Sequence, residues 1–363
     1  MPPQIGGMET FFGDLIHALQ ARANVIVLDI AKLKLQKGGK YAIKTGYTGA
    51  FKRHIRITLH SYLYSLQHFI KYLFLLSFKQ IDIVHIHTAS YTSFWEKALL
   101  IGVAKCFRKA LVLHVHGALF KEFYQHSRGS LQRLIRRALE TCDAVVVLSE
   151  SWKHFFSEIT RPQHIFVVEN GIDLSPFRKK TPHDDGVRLL HIGEVSARKG
   201  IFDLLSAIKD VHHQQKQFHV DIVGPGEIER ARKKIVEYQL EEVVTLHGPK
   251  RGQEKYAFFE RSTLFILASY AEGLPIAIIE ALAAGLVVIS TSVGGIPDLI
   301  ISGENGYLVQ PGDTTALADN IKKLLEETDL RQTMAQNNRT LAFEHYNIDR
   351  CAEKLMHIYN TIL

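Results

Sequence analysis

The stretch from Ser269 to Asp298 constrains the fold of this chain most, because strand, turn and helix signals follow one another within it. Apolar residues 264–268 and 287–290 predict two buried strands, and the apolar residues 276–284 between them predict a short helix. Gly285 is typical of a residue that ends such a helix. The stretch therefore predicts one strand–turn–helix–strand unit of an α/β domain.

Two acidic residues in this unit, Glu272 and Glu280, are candidates for binding a ligand. Glu272 lies in the turn after a strand, where open α/β sheets bind ligands. Glu280 lies in an apolar helix, where a carboxylate without a partner is costly. Hydroxyl groups of a sugar or ribose would satisfy both acids. The alternative is that Glu280 caps a neighbouring turn and Glu272 is merely exposed, which is the commoner arrangement for two isolated glutamates.

The residues around these glutamates favour the ligand. They form the pattern E-G-x-P-x-x-x-x-E-A-x-A-x-G, followed by G-G-x-P-D. This pattern closely resembles the donor-site signature of the retaining glycosyltransferases of family 4. The resemblance implies the GT-B architecture and a retaining hexosyltransferase that uses a nucleotide-sugar. It also implies that Glu272 is catalytic and that the donor is bound by Gly273, Leu274 and Glu280.

The first residues of the chain form a glycine turn that runs into a helix. Gly6 and Gly7 precede an amphipathic stripe, and a turn of this type presents backbone N–H groups to phosphate. A simple loop is the commoner explanation for such a pair, but the resemblance implies that Gly7 touches the donor diphosphate. Only five residues precede Gly6, so the first sheet either lacks its middle strand or continues upstream of Met1. We expect the second, and residues 24–30 predict the next strand.

A histidine–glycine pair, His116-Gly117, follows the strand predicted at residues 111–115. At the carboxyl end of a strand it can place an imidazole in the cleft, although an isolated histidine is more often packed or exposed. The resemblance implies that His116 lies beside the reacting sugar as a catalytic residue. We expect His114 to alternate with it and to point elsewhere.

The loop at residues 193–200 precedes another predicted helix and carries two cations. Arg198 and Lys199 lie just before the helix N-terminus and raise its affinity for an anion. The resemblance implies that this loop holds the donor diphosphate and that Arg198 compensates for Glu194, which replaces the usual arginine. It also implies that Gly248 contacts the nucleoside base through its backbone. Since these cations can neutralise the leaving diphosphate, we expect no metal and no cofactor.

Charge is divided unevenly along the chain. Residues 1–180 hold 25 Lys and Arg against 12 Asp and Glu, a net charge of +13, whereas residues 181–363 have a net charge of −6. The basic residues are dispersed and accompany no recognition motif. We therefore expect an anionic lipid surface, and not nucleic acid, as a partner of the first half.

Residues 51–80 form the most unusual stretch, which is aromatic and aliphatic and is led by Lys52, Arg53 and Arg56. Lys71 interrupts it, so a helix that spans the bilayer is not predicted. A partly buried core helix and a helix lying in the bilayer interface both fit the pattern. We hypothesise the second, in a cytoplasmic protein attached peripherally to the inner face of the plasma membrane.

The alternation of strands and helices predicts two Rossmann-like domains facing across a cleft. We expect residues 1–178 to bind the acceptor, residues 186–340 to bind a UDP- or GDP-sugar, and a C-terminal helix at residues 341–363 to pack back towards the first domain. Three widely spaced cysteines indicate a reducing compartment.

The segments HIHTASYTSFWEK and LHVHGALFKEFY are similar to those of bacterial exopolysaccharide and capsule transferases. This similarity implies a lipid-linked glycan acceptor. The alternative is an isomerase of the nucleotide-sugar 2-epimerase type, which has the same architecture but needs no acceptor. A dinucleotide dehydrogenase is not predicted, because neither half has G-x-G-x-x-G after a first strand.

Overall fold

The computed structural model describes residues 7–28, 59–161, 164–178, 186–214 and 217–363, with only the backbone at residues 59–65. Over these residues the chain forms two parallel β-sheets, one in each half, and each alternates with helices along the sequence. This arrangement confirms the predicted two-domain α/β architecture. Four residues with predicted roles lie outside the described residues: Gly6, Lys52, Arg53 and Arg56.

The sheet of the first domain has four parallel strands in the spatial order β1-β2-β3-β4. These strands are β1 (Ile83–Thr88), β2 (Ala110–Val115), β3 (Ala144–Val147) and β4 (Ile165–Val167). The helices of this half are α1 (Gly7–Gln20), α2 (Leu59–Phe78), α3 (Thr92–Cys106), α4 (Phe120–Gln125), α5 (Gly129–Thr141) and α6 (Glu150–Ile159). The carboxyl ends of all four strands lie at one edge of the sheet, where His116 follows β2.

The sheet of the second domain has six parallel strands in the order β10-β9-β8-β5-β6-β7. These are β5 (Val187–Ile192), β6 (Phe218–Val223), β7 (Val244–Gly248), β8 (Leu264–Leu267), β9 (Val287–Thr291) and β10 (Gly306–Val309). The first strand, β5, lies between β6 and β8, so the strand order reverses beside it. Open α/β sheets bind ligands at such a switch point, outside the carboxyl ends of the strands.

Seven helices belong to the second half of the described chain. They are α7 (Ile201–His212), α8 (Ile228–Glu237), α9 (Gly252–Arg261), α10 (Ile276–Ala284), α11 (Thr314–Glu326), α12 (Thr328–His345) and α13 (Ile348–Ile362). Helix α10 has the bounds predicted from the apolar pattern, and Gly285 ends it with a φ of 72°. This left-handed conformation favours glycine, which explains the sharp end of the helix.

Helix α13 crosses from the second domain to the first. Its N-cap residue Asn347 forms an isolated parallel bridge with Ile172, and Lys354 donates a hydrogen bond to Glu169. Tyr359 near its end contacts His85 of β1 through a hydrogen bond. The C-terminal helix therefore packs on the first domain and on the edge of its sheet.

The strand predicted at residues 24–30 is wrong over its described part. Residues 24–28 form no strand, and the side chains of Ile26 and Val27 are 53% and 40% exposed. The physical reason is pairing, because β1 bonds only to β2 within the described sheet and no described strand lies beside residues 24–28. Apolar, β-branched residues alone do not make a strand without a neighbour to accept their backbone hydrogen bonds.

Candidate active site

The switch point of the second sheet is occupied by an ion pair between two loops. Lys199 follows β5 and Glu272 follows β8, and the Lys199 ammonium donates to Glu272 Oε1 at 2.5 Å. Ser269 donates a second hydrogen bond to the same oxygen at 2.7 Å. The Glu272 residue is only 6% exposed, so this ammonium offsets the cost of burying the carboxylate. The two residues predicted to hold the sugar and the diphosphate therefore meet directly.

The loop that carries Lys199 is held close to the end of β8 by a glycine. Gly200 has a φ of 67°, and a Cβ atom there would lie 1.8 Å from the carbonyl oxygen of Ala268. Only glycine fits this approach. Arg198 donates to the carbonyl of Ala271 at 3.3 Å and to Glu194 Oε2 at 3.3 Å. The loop thus places Arg198 and Lys199 together at the turn after β8, with Glu194 as the counter-ion of Arg198.

Glu280 projects from α10 and is 4% exposed. Lys255 of α9 donates a hydrogen bond to its carboxylate, so Glu280 is not a turn cap. Burial raises the pKa of Glu280, the Lys255 ammonium opposes this shift, and Asp14 of α1 adds to it. Because Asp14 belongs to the first domain, the Glu280 carboxylate lies where the two domains approach each other.

His116 lies at the end of β2 against aromatic side chains of α1. The centroids of the Phe11 and Phe12 rings are 5.9 Å and 5.4 Å from that of His116. Its Nε2 shares a hydrogen bond of 2.9 Å with Nδ1 of His87. Burial lowers the pKa of His116 well below its ordinary value, and the neighbouring His87 lowers it further. The imidazole is therefore neutral and can exchange hydrogen bonds with hydroxyl groups.

The expectation that His114 points away from His116 is wrong. Their rings stack with centroids 4.2 Å apart and an interplanar angle of 29°. Side chains alternate along a strand with a period of two, so residues two positions apart share a face. His114 therefore lies on the same face as His116, and the two histidines of β1 pack beside them.

The turn after β8 meets the first domain at His116. A Cβ atom on Gly273 would lie 3.0 Å from the carbonyl oxygen of His116, so glycine allows this close approach. Trp152 of α6 donates to the Gly273 carbonyl at 3.2 Å, and Asn170 donates to the Leu274 carbonyl at 2.8 Å. Leu274 itself is 4% exposed. The predicted catalytic residues, one from each domain, thus belong to segments in direct contact.

A second glycine turn supports the first. Gly294 has a φ of 56°, and a Cβ atom there would lie 1.9 Å from the carbonyl oxygen of Glu272. The backbone N–H of Gly295 donates to the Gly273 carbonyl at 2.7 Å. Asp298 accepts hydrogen bonds from the backbone N–H and the hydroxyl of Ser151 in the first domain. The G-G-x-P-D part of the sequence pattern therefore fixes the turn and also fastens the two domains together.

Two predicted donor-binding glycines lie further from the ion pair. Gly248 ends β7 with a φ of 65°, and its carbonyl accepts a hydrogen bond from Gly224 at 2.9 Å. It is three strands from β8, or about 14 Å at the usual strand spacing. Gly7 begins α1, one turn before Phe11, and its first N–H groups have no partner within the helix.

Three contacting residues were missed in the sequence, namely Lys255, Ser269 and His87. Lys255 is the hydrogen-bond partner of Glu280, and Ser269 is that of Glu272. His87 is the hydrogen-bond partner of His116. The H-x-H pattern on β1 was the available signal for His87. The two others gave none, because polar residues at a helix start or a strand end are common.

Two family models match the chain, one in each half. The model described as Glycosyltransferase Family 4 matches residues 5–176. The model described as Glycosyl transferases group 1 matches residues 175–341. The chain therefore belongs to the glycosyltransferases of family 4, as the donor-site pattern predicted.

Curated relatives and solved structures agree with this family. WcaL of Salmonella typhimurium, a putative colanic acid biosynthesis glycosyltransferase, is 27% identical over 70% of this chain and 64% of that protein. The chain thus spans less than two thirds of the length of that relative. A GDP-mannose:cellobiosyl-diphosphopolyprenol alpha-mannosyltransferase of Xanthomonas oryzae is 25% identical over 90% of this chain and 86% of that protein. Anabaena HepE in complex with UDP has a TM-score of 0.70 at 19% identity, over 80% of this chain and 81% of that one, which confirms the GT-B fold.

Proposed function

We propose that this chain transfers a hexosyl group from a UDP- or GDP-sugar to a glycan acceptor, with retention of the anomeric configuration. One observation carries the proposal: the turn that holds Glu272 lies against His116 of the other domain, directly beside the cations of the diphosphate loop. A sugar bound there would have a carboxylate on one side, a neutral imidazole on the other and cations at its leaving group.

The described contacts support a division of roles within the donor site. Arg198 and Lys199 would stabilise the negative charge that develops on the leaving diphosphate, and the α1 start at Gly7 would add N–H donors. Glu272 would exchange its bond to Lys199 for bonds to sugar hydroxyls. Glu280, held by Lys255, would bind the ribose. Because the cations come from the chain itself, we propose that this donor site works without a metal.

The named relatives support the classes of donor and acceptor. The Xanthomonas relative is named for GDP-mannose and a diphosphopolyprenol acceptor, and the HepE structure holds UDP. The Salmonella relative is named for colanic acid biosynthesis. We propose accordingly that this chain uses a nucleotide-sugar and a lipid-linked glycan in the synthesis of a cell-surface polysaccharide.

Helix α2 supports a peripheral position at the membrane. Leu66, Ile70, Phe74 and Phe78 recur every four residues and are 53%, 57%, 53% and 74% exposed. The opposite face packs inwards, because Tyr72 and Leu76 are 7% and 4% exposed. In the part of the chain that the structure describes, no helix is both long enough and apolar enough to cross a bilayer. We propose that the exposed stripe enters the interface of the inner leaflet.

The decisive experiment offers a panel of UDP- and GDP-sugars to the purified full chain together with a membrane lipid extract. Mass spectrometry should detect one glycosylated lipid product, and the anomeric proton in NMR should show the configuration of the donor. A product with inverted configuration would contradict retention. Conversion of the donor to its 2-epimer without acceptor would establish the isomerase alternative. Absence of both reactions for every donor would overturn the proposal.

A further inference from the structure

Four histidines of the first domain lie together on one face of β1 and β2. We call this group the histidine cluster, and it comprises His85, His87, His114 and His116. The register pairs His87 with His114 across the two strands. Neighbouring ring centroids are 4.2 to 5.5 Å apart. No carboxylate contacts the cluster among the described hydrogen bonds and ion pairs.

Several nitrogens of the cluster lack a hydrogen-bond partner within the described part of the chain. His114 is 0% exposed, and both of its ring nitrogens are buried and unpartnered. Nε2 of His85 and Nδ1 of His116 are also buried without a partner. Buried polar groups in proteins are nearly always hydrogen-bonded, and an exception needs an explanation such as a bound ion. Four unpartnered nitrogens in one small region are such an exception.

The remaining contacts occupy one ring nitrogen of His85 and one of His87. Nδ1 of His85 contacts the hydroxyl of Tyr359, and Nδ1 of His87 contacts Nε2 of His116. A histidine that binds a metal through one nitrogen usually donates its other N–H to a neighbouring group, which fixes its tautomer. These two contacts therefore leave Nε2 of His85 and Nε2 of His87 for a metal.

We propose that His85, His87 and His114 bind one divalent transition-metal ion such as Zn²⁺, at a site separate from the donor diphosphate. One nitrogen from each of these rings lies within 4.8 Å of the others. Two nitrogens bound to one tetrahedral ion at roughly 2.0–2.1 Å lie about 3.4 Å apart, so no pair has to close by more than about 1.4 Å. The three rings lie at 9° to 32° to one another, so they must also turn until the lone pair of each ligating nitrogen points at the ion. Three imidazoles without a carboxylate suit zinc, copper or nickel and not magnesium or calcium.

Cobalt is the probe that tests the site, because Co²⁺ bound by imidazoles absorbs visible light and can be displaced by Zn²⁺. The full chain is stripped with a chelator, dialysed and titrated with Co²⁺. We expect one equivalent to bind with visible absorption bands, one equivalent of Zn²⁺ to abolish them, and the melting temperature to rise with either metal. The readout is metal binding, so its outcome is independent of whether the transferase proposal holds.

Two ligand variants and one control locate the ion. His85→Gln and His114→Gln should each weaken Co²⁺ binding at least about 100-fold, more than the roughly 10- to 100-fold loss that follows removal of an outer-shell partner. His85 is half-buried, so its variant tests the site even where His114→Gln fails to fold. His154→Gln is the control, because that side chain is 83% exposed on α6, and its Co²⁺ affinity should equal that of the unmodified chain.

Tyr359→Phe tests the orientation of His85 without removing a ligand. The ring stays in place and only the hydroxyl is lost, so we expect Co²⁺ affinity to fall by about 10- to 100-fold. The proposal is overturned where the folded, unmodified chain binds no stoichiometric Co²⁺ or Zn²⁺. It is equally overturned where both histidine variants bind Co²⁺ as tightly as the His154→Gln control.

Discussion

The two domains stabilise their buried titratable groups in opposite ways. In the second domain, Glu272 and Glu280 are almost inaccessible to solvent, and each contacts a lysine ammonium. In the first domain, the buried groups at the cleft are histidines, and burial lowers the pKa of His114 and of His116. A buried charge needs a charged partner, whereas a neutral imidazole needs only hydrogen bonds or a ligand. We infer that charge recognition belongs to the second domain and hydrogen bonding to the first.

The largest expected effect comes from removing a lysine of the second domain. Lys255→Met leaves the Glu280 carboxylate buried without its partner, and breaking a buried ion pair costs about 3–5 kcal/mol of unfolding free energy. Urea denaturation at pH 8 measures this loss. Lys234→Met is the control, because Lys234 pairs with Glu237 on the surface and its loss should leave stability nearly unchanged.

The same variant gives a pH dependence with a definite sign. Burial already raises the pKa of Glu280, and without the Lys255 ammonium this shift is no longer opposed. A carboxyl group whose pKa is higher in the folded state binds its proton more tightly there, so its stabilisation is complete at low pH and is lost as pH rises. Lys255→Met should therefore be less destabilised at pH 5 than at pH 8. An equal loss at both pH values would show that Glu280 is not the group left unpaired.

The contrast between the domains also shows what the sequence could reveal. Helix α10, the turn at Glu272 and the end at Gly285 follow from apolar spacing and glycine, which act within a few residues. The family followed from the same local pattern. Glu280 was recognised as costly to bury, but its partner Lys255 is 25 residues away and could not be identified. Tertiary contacts of this kind have no local signal.

The first domain was harder to predict for two different physical reasons. Residues 24–28 have the composition of a strand but no described strand beside them, so pairing overrode propensity. The histidine cluster is not predicted, because His114 and His116 are expected from the sequence to point in different directions. Residues two positions apart on a strand in fact share one face. With the correct period, H-x-H on β1 and H-x-H at β2 would have predicted four imidazoles on one face.

The second largest effect concerns catalysis by the paired carboxylates. Glu272→Ala should cost about 2–4 kcal/mol of transition-state stabilisation, because the sugar is no longer positioned for the reaction. This cost corresponds to a roughly 30- to 1,000-fold lower kcat/KM. Glu280→Ala should lower it by a similar amount through weaker ribose binding, seen as a higher donor KM. Steady-state kinetics with the active donor separates the two. Glu242→Ala, an exposed residue, is the control. Full kcat/KM in Glu280→Ala would show that the ribose assignment is wrong.

A smaller effect is expected for the cations of the diphosphate loop. Arg198→Ala and Lys199→Ala should each weaken UDP or GDP binding by about 1.5–3 kcal/mol, as for a hydrogen bond to a charged group, or roughly 10- to 150-fold. Calorimetry measures this, with Lys233→Ala on α8 as the exposed control.

Turnover should also survive EDTA. Loss of turnover in EDTA that Mg²⁺ or Mn²⁺ restores would contradict metal-free neutralisation of the leaving group.

The smallest effect per residue is expected at the membrane, where the charge asymmetry of the two halves becomes a test. Each basic residue near an anionic surface contributes about 1 kcal/mol, and the attraction fades beyond a Debye length of about 8–10 Å. The triple variant Lys52→Ser, Arg53→Ser and Arg56→Ser should therefore reduce sedimentation with anionic liposomes. High salt should reduce it too.

The exposed stripe of α2 supplies the second half of that test, because its contribution is apolar and insensitive to salt. Phe74→Ser with Phe78→Ser should weaken binding to anionic liposomes by a similar factor at every salt concentration, since it removes inserted area and not charge. Val236→Ser is the control, because Val236 is 57% exposed on α8 in the acidic second domain. Equal binding to neutral and anionic vesicles would contradict the expected preference for anionic lipid, and no binding to either kind would contradict the interface helix. If neither kind of vesicle is bound, α2 would serve only as a core helix that buries Tyr72 and Leu76, and the basic residues would form only a solvated surface.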